Sequence, residues 1–429
     1  MTDTRNEPVA ERALALDVVR GLALLGVLLI NVRGVLNPLE AARGFIDPQS
    51  AGLDTFVYWF LQIVVSAKFF PVFSLLFGVG LALQWRRRDR LPSGFFGRRL
   101  AALFVVGAAH GILLWWGDVL LPYSVVAAIV VVGFLKRSNL TLLVGALFCL
   151  LGALYVAVLV SDAGAGRLGP EAELARAQAA LDIYRQGAWS VRLGQQVRDY
   201  GVALAGWSVV GFQVLAMMLL GVVFVRSGWL DRMLQGVFWS RKFDLALWIS
   251  GTIFNALYVA SDAARSTGGW ADHPVVFTAG FVLGGSLLGL AYALAVLRLI
   301  ASRRAAWLRV FAPVGRMSLT HYLAGTVIFL MLAFGAGWYG RLGNGLQLLA
   351  ALGLFALQLL VSLMLPVNQA PGPLEWVWRV VSYGFNRVDS QVTNTGDIGR
   401  PSAASTHSDW ISSTGDKALQ LGCGDPPPS

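Results

Sequence analysis

The run LALDVVRGLALLGVLLINV, residues 14–32, decides the class of this protein. It is apolar for about the 20 residues that a helix needs to cross a hydrocarbon core of about 30 Å, and it carries Asp17 and Arg20 near its start. Working outward, apolar stretches recur near 15–35, 67–85, 99–117, 120–135, 140–160, 201–225, 243–260, 275–298, 310–333 and 346–366. The pattern predicts an all-α fold, a polytopic integral membrane bundle of about ten transmembrane helices with the lipid bilayer as its partner. Composition agrees: 14% of the 429 residues are charged and 56% are apolar, whereas a soluble domain carries about 25% charged residues.

The basic excess, 34 Lys+Arg against 24 Asp+Glu for a formal charge of +10, sorts by loop. With the N-terminus inside, the inner loops collect Arg86, Arg87, Arg88, Arg90, Arg98 and Arg99, then Lys136 and Arg137, then Arg226, Arg232, Arg241 and Lys242, then Arg298, Arg303, Arg304 and Arg309. The outer loops hold Arg33, Arg43, Arg265 and Arg341. This is the positive-inside asymmetry, and it places both termini in the cytoplasm. The charge therefore records insertion and is no sign of a nucleic-acid partner. Reporter fusions after Trp85, Asp162, Arg241 and Arg265 should read inside, outside, inside and outside.

Residues 161–200 are polar and charge-balanced and are expected outside, as a helical hairpin or cap. The stretch DTFVYWFLQIVVS, 54–66, is expected at the outer interface, and PGPLEWVWRVVSYG, 371–384, with a Pro at a helix start, as an inner interfacial helix. From about Asn386 the chain is rich in Ser, Thr, Gly, Asp and Pro, a disordered tail. The expected organisation is a membrane bundle over 1–385 and a tail over 386–429. Acids around the first apolar stretch (Asp3, Glu7, Glu11) favour a retained anchor over a signal peptide.

Two cysteines, Cys149 and Cys423, supply neither a disulfide framework nor a metal cluster. The histidines His110, His273, His321 and His407 never form His-Glu-x-x-His, and neither a P-loop nor a Gly-x-Ser-x-Gly elbow occurs. No metal and no bound cofactor are expected.

Ionisable groups inside spans cost about 2.5–3.5 kcal/mol at a helix centre on insertion scales, so each needs a reason. Asp17 and Arg20 are three apart and share a helix face, either as a self-neutralising interfacial pair or as an anion-binding pair facing the bundle. His110 lies in GAAHGILLWWGD between Gly107 and Gly111, whose four-residue spacing lets another helix approach. It is either a satisfied core histidine or a general base. Asp118, eight residues on, is about 12 Å further along the axis if the helix continues, out of contact with His110 and at the outer mouth. That spacing also fails the His-x-x-x-x-Asp pattern of glycerolipid acyltransferases. Arg99 precedes His110 by about three helical turns and shares its stripe, as an anchor or as the first contact of an anionic donor. Lys68 heads span two, where snorkelling at the outer face is the ordinary expectation. Arg316, five residues before His321, and Glu375 and Arg379 in the interfacial segment complete the secondary candidates.

Six ordered blocks, LDVVRGLALLGVLLINV, KFFPVFSLLFGVGL, HGILLWWGDVLLPY, MLLGVVFVRSGWL, VGRMSLTHYL and GPLEWVWR, resemble the bacterial inner-membrane YeiB family from about Ala13 to Gly384. The resemblance implies a multi-pass protein of the bacterial cytoplasmic membrane, with a C-terminal half catalogued as a domain of unknown function. It also implies a distant grouping with membrane acyltransferases that move an acyl group from an inner donor to an outer acceptor. On that resemblance Asp17 and Arg20 match the shared start of the first span, and Arg98 or Arg99 the basic element near the acyl-CoA side. The histidine those polysaccharide acyltransferases carry about ten residues after the span-one arginine is not matched, since Ile30 and Asn31 stand there.

The leading expectation is an acyltransferase moving an acyl group from a cytoplasmic donor such as acyl-CoA to an extracytoplasmic glycan or lipid. His110 would act as base, Asp118 would meet the acceptor, and Asp17, Arg20 and Arg99 would bind the donor. A transporter or lipid translocase without covalent chemistry is the alternative, and a structural membrane subunit is a third.

Overall fold

A computed structural model describes residues 7–42, 52–162, 170–264, 270–302, 305–365 and 371–384. By contacts the chain falls into Met1–Gly384 and Phe385–Ser429; the expected tail lies outside the described residues. All regular structure among the described residues is helical, as it must be where no water is present to satisfy backbone groups.

Among the described residues, nine helices are long and apolar enough to cross a membrane: Glu11–Leu36, Leu53–Arg86, Phe95–Leu113, Asn139–Val160, Trp189–Arg226, Arg241–Ala264, Pro274–Ala301, Ser318–Gly335 and Asn344–Met364. A further apolar helix, Leu120–Phe134, is shorter. Counting it fourth, the spans are numbered one to ten in chain order. Outward faces keep large apolar groups such as Phe104, Leu143, Phe148 and Leu151 exposed, the surface that lipid tails solvate. Inward faces pack through small residues. A Cβ on Gly78 would strike the Met218 carbonyl of span six, and one on Gly221 would strike the Leu75 carbonyl of span two, so these two backbones touch.

The ends that carry the basic loops converge. Arg86 donates to the Val225 carbonyl, Arg226 to those of Leu135 and Arg137, and Arg98 to that of Ser382. Arg12 pairs with Asp231 at 2.6 Å, and Arg298 with Asp244. At the opposite end the Gly340 N–H donates to the Leu36 carbonyl at 2.7 Å and the Gly345 N–H to Asp54 at 2.7 Å.

Two features depart from a plain bundle. Residues 54–66 do not lie apart from span two. They continue into it as a helix to Phe60 and a π-helical turn over Leu61–Val65, with Tyr58, Leu61 and Gln62 buried. A break at Ser66–Lys68 follows, with Ala67 at φ 66°, a left-handed conformation that costs a residue with a Cβ about 1–2 kcal/mol. The break leaves three successive carbonyls for side chains to satisfy. Lys68 donates to Gln62 at 2.8 Å, Asn255 to Ile63 at 3.0 Å and Tyr292 to Val64 at 3.2 Å.

Spans three and four, in turn, form a hairpin. Span four, about 22 Å long at 1.5 Å per residue, is shorter than the hydrocarbon core. The hairpin is tight because Gly107 sits directly against the Leu121 backbone. Over its turn lies the helix Trp189–Arg226, which begins well before residue 201; its Gln196 donates to the Gly111 carbonyl at 2.7 Å and its Tyr200 ring covers Gly111. Pro170–Gln186 packs on that extension, where the Tyr184 hydroxyl donates to Asp199 at 2.7 Å.

Candidate functional site

At the basic end, Asp17 and Arg20 pair at 2.7 Å as their three-residue spacing predicts. The turn Ala312–Arg316 sits directly on span one, because a Cβ on Gly315 would strike the Asp17 carbonyl. This brings Arg316 to Asp17. The helix Pro373–Tyr383 packs against span three through the Phe95 and Tyr383 rings, 4.8 Å apart, and through Trp378, whose indole donates to the Arg99 carbonyl at 3.0 Å. The Arg99 guanidinium lies over the same ring, 3.6 Å from its centroid. Arg20, Arg316 and Arg379 all act electrostatically on Asp17, and Arg20 and Arg379 on Arg99. Asp17, Arg20, Arg99, Arg316 and Arg379, distant in sequence, thus form one cluster with guanidinium groups in excess. Glu375 has partners of its own. Its carboxylate accepts from the N–H groups of Leu319 and Thr320 and from the Thr320 hydroxyl, capping the start of span nine.

Deeper along span three, His110 is 2% exposed. Its Nδ1 lies 3.0 Å from Asp118 Oδ1 and its Nε2 3.2 Å from Thr326 Oγ1. The expectation that Asp118 lies too far along the axis to touch His110 is overturned. The helix stops at Leu113, where the N–H groups of Leu114 and Trp115 both fold back to the His110 carbonyl, at 3.0 and 2.9 Å. The 1.5 Å rise ceases to apply there, and the chain returns over Trp115–Gly117. Nor is Asp118 at an open mouth: it is 2% exposed. Its carboxylate also takes the N–H groups of Leu120 and Leu121, at 3.2 and 2.9 Å, capping span four. One side chain thereby starts a helix and orients an imidazole. With Nδ1–H donating to Asp118, the ring turns Nε2 towards Thr326.

Trp115 and Tyr322 wall the imidazole at centroid distances of 6.2 and 5.4 Å. Trp115 Nε1 and the Tyr200 hydroxyl are buried donors without an acceptor among the described residues, each at a cost of about 1–3 kcal/mol. Thr326 lines a cavity of about 10 Å³, the volume of one water, with Leu24, Val27, Leu28, Asn31, Val35, Tyr322 and Phe329. Asn31 therefore shares a cavity with the residue that His110 touches.

Lys68 does not snorkel. It is 0% exposed, because the break in span two turns it inward to the Gln62 carbonyl and towards the Tyr258 ring, 5.8 Å away. It belongs to a polar cluster in which Tyr58 and Gln62 both donate to Asp262. His321 bonds to Ser362 at 2.6 Å, and His273 accepts from the Val275 N–H at 3.2 Å; both are held by local structure. Thr326 was not singled out from the sequence, since a threonine in an apolar helix ordinarily bonds to the carbonyl four residues back.

A family profile described as a protein of unknown function, DUF418, matches residues 224–385. Over most of its length the chain is similar to the uncharacterized protein YeiB of Escherichia coli (strain K12), 30% identical over 86% of this chain and 96% of that one. The chain belongs to the YeiB family. Further YeiB-like relatives are the uncharacterized protein YxaH of Bacillus subtilis (strain 168), 26% identical over 87% of this chain and 94% of its own, and an uncharacterized 39.9 kDa protein of Bacillus acidopullulyticus, 28% identical over 88% and 96%. No solved structure matches. In this YeiB-family bundle the DUF418 match contains Arg316, Thr326, Trp378 and Arg379, whereas Asp17, Arg20, Arg99, His110 and Asp118 precede it. The His110–Thr326 and Arg99–Trp378 contacts therefore join the two halves of the chain.

Proposed function

We propose that this multi-pass membrane protein is an acyltransferase. It takes an acyl group from a donor at the basic cluster on the cytoplasmic side of a bacterial inner membrane and passes it to a hydroxyl or amine of a glycan or lipid on the other side. The observation that carries this reading is one helix with two chemistries. Arg99, stacked on Trp378 among Arg20, Arg316 and Arg379, stands about 16 Å, or three turns, before His110, whose Nδ1 is fixed by Asp118. Guanidinium groups in excess suit phosphates. An imidazole oriented through Nδ1 with Nε2 turned towards a hydroxyl suits proton removal from a nucleophile. A donor with phosphates at one end of a long arm and a thioester at the other, as in acyl-CoA, fits that separation. His110→Ala in purified protein in nanodiscs should abolish acyl-CoA consumption while leaving the thermal midpoint measurable; turnover equal to wild type would overturn the reading.

One observation favours transport instead. Span two is discontinuous at Ser66–Lys68 and buries Lys68 beside the Asp262 cluster, and broken spans are where transporters hold substrates. Mass spectrometry of envelope glycans and lipids separates the two. A missing acyl group on deletion supports transfer, and an unmodified precursor retained inside supports transport.

A further inference from the structure

Both ring nitrogens of His110 are engaged: Nδ1 with Asp118 at 3.0 Å, Nε2 with Thr326 Oγ1 at 3.2 Å. The ring is shut between Trp115 and Tyr322. The hydroxyl within reach of Nε2 is that of Thr326, which is 4% exposed and lines the cavity between spans one and nine. Its one proton has two acceptors, Nε2 at 3.2 Å and the Tyr322 carbonyl at 3.4 Å. A threonine serving helix structure alone needs only the second. The line from carboxylate to imidazole to hydroxyl has the connectivity that activates a nucleophile in acyl transfer, and no sequence motif announces it.

We propose that Thr326 carries the acyl group as an ester between donor and acceptor, an inference that rests on the acyl-transfer reading above. Thr326 Oγ1 attacks the carbonyl carbon of the donor thioester, and its proton passes to His110 Nε2. The C–S bond breaks, and the departing thiolate takes the proton from His110, leaving a free thiol and a Thr326 ester. The acceptor hydroxyl then attacks the ester carbonyl and gives its proton to Nε2. The bond from the acyl carbon to Oγ1 breaks, and Oγ1 recovers the proton. Nothing is oxidised and no other reactant enters. The intermediate lets a donor and an acceptor that approach from opposite faces use one histidine in turn.

The test incubates the full-length protein in nanodiscs with radiolabelled acetyl-CoA or palmitoyl-CoA and no acceptor, followed by peptide mapping. Expected is a hydroxylamine-labile label on the peptide containing Thr326 in the wild type and in Thr326→Ser, and none in Thr326→Val or His110→Ala. Turnover in Thr326→Val should fall by about 100-fold or more. Thr326→Val matches the shape of threonine; if it does not fold, the wild-type label and the Ser variant decide. Donor consumption with the label elsewhere or absent, or unchanged in a folded Thr326→Val, overturns the role of Thr326 and leaves the acyl-transfer reading standing. Consumption of neither donor by the wild type overturns the Thr326 ester, and consumption of neither when envelope glycan and lipid extract is added as acceptor overturns both.

Discussion

Trp378 holds Arg99 twice: its indole N–H donates to the Arg99 carbonyl at 3.0 Å, and its ring lies 3.6 Å from the Arg99 guanidinium. A cation–π contact contributes about 0.5–2 kcal/mol and a neutral hydrogen bond about 1 kcal/mol. Trp378→Ala should therefore weaken docking of Pro373–Tyr383 by about 1–3 kcal/mol, seen as faster hydrogen exchange across that helix. Trp378→Phe, which keeps a ring, should fall between.

Asp118 both orients His110 and caps span four. Asp118→Asn keeps an oxygen for the imidazole and the Leu120 N–H, both of which Oδ1 serves, but loses the charge that stabilises an imidazolium and the Oδ2 acceptor of the Leu121 N–H. Acyl-CoA turnover should fall by about 10²–10⁴ with a modest loss in thermal midpoint. Asp118→Ala, which breaks a buried pair, should cost about 3–5 kcal/mol, and equal midpoints for the two variants would argue against the double role.

Two kinds of glycine are distinguishable. Gly315 and Gly107 press against backbone atoms of Asp17 and Leu121, which cannot move aside, so Gly315→Ala and Gly107→Ala should cost about 1–3 kcal/mol or more and lower expression. Gly206, within a helix and with nothing near its missing Cβ, should tolerate Ala and gain up to about 1 kcal/mol. Thermal midpoints in one detergent compare them directly.

The break in span two depends on borrowed donors. Asn255→Leu removes the N–H that reaches the Ile63 carbonyl at 3.0 Å and leaves that carbonyl without its side-chain donor at the break. The expected loss is about 1–3 kcal/mol, read as a lower thermal midpoint with faster exchange around Ser66.

Tyr184 lies outside the spans and is 5% exposed. Burial, and then the Asp199 carboxylate that its hydroxyl contacts, push its pKa above the ordinary value of about 10. The folded state therefore keeps a proton that the unfolded chain releases above about pH 10. Stability from this group is complete below that pH and is lost as pH rises beyond it. Thermal midpoints should drop more steeply above pH 10 in the wild type than in Tyr184→Phe.

The sequence by itself determined the solvent and the fold class. Whether a stretch such as residues 14–32 enters lipid depends on its own side chains, read locally along the chain, so the all-α multi-span bundle was legible. Candidates for the site, Asp17, Arg20, Arg99 and His110, were also legible, because each is a costly polar group in an apolar run. What joins them was decided by tertiary structure alone. Thr326 is 216 positions from His110 and Trp378 is 279 from Arg99, and neither distance leaves a periodicity to read. Asp118 reaches His110 only because the helix ends at Leu113 and the chain turns back. Lys68, expected at the surface, lies inside because span two breaks and must have its carbonyls satisfied. Local hydropathy fixes which helices form; the backbone accounting at their ends and breaks fixes which side chains meet.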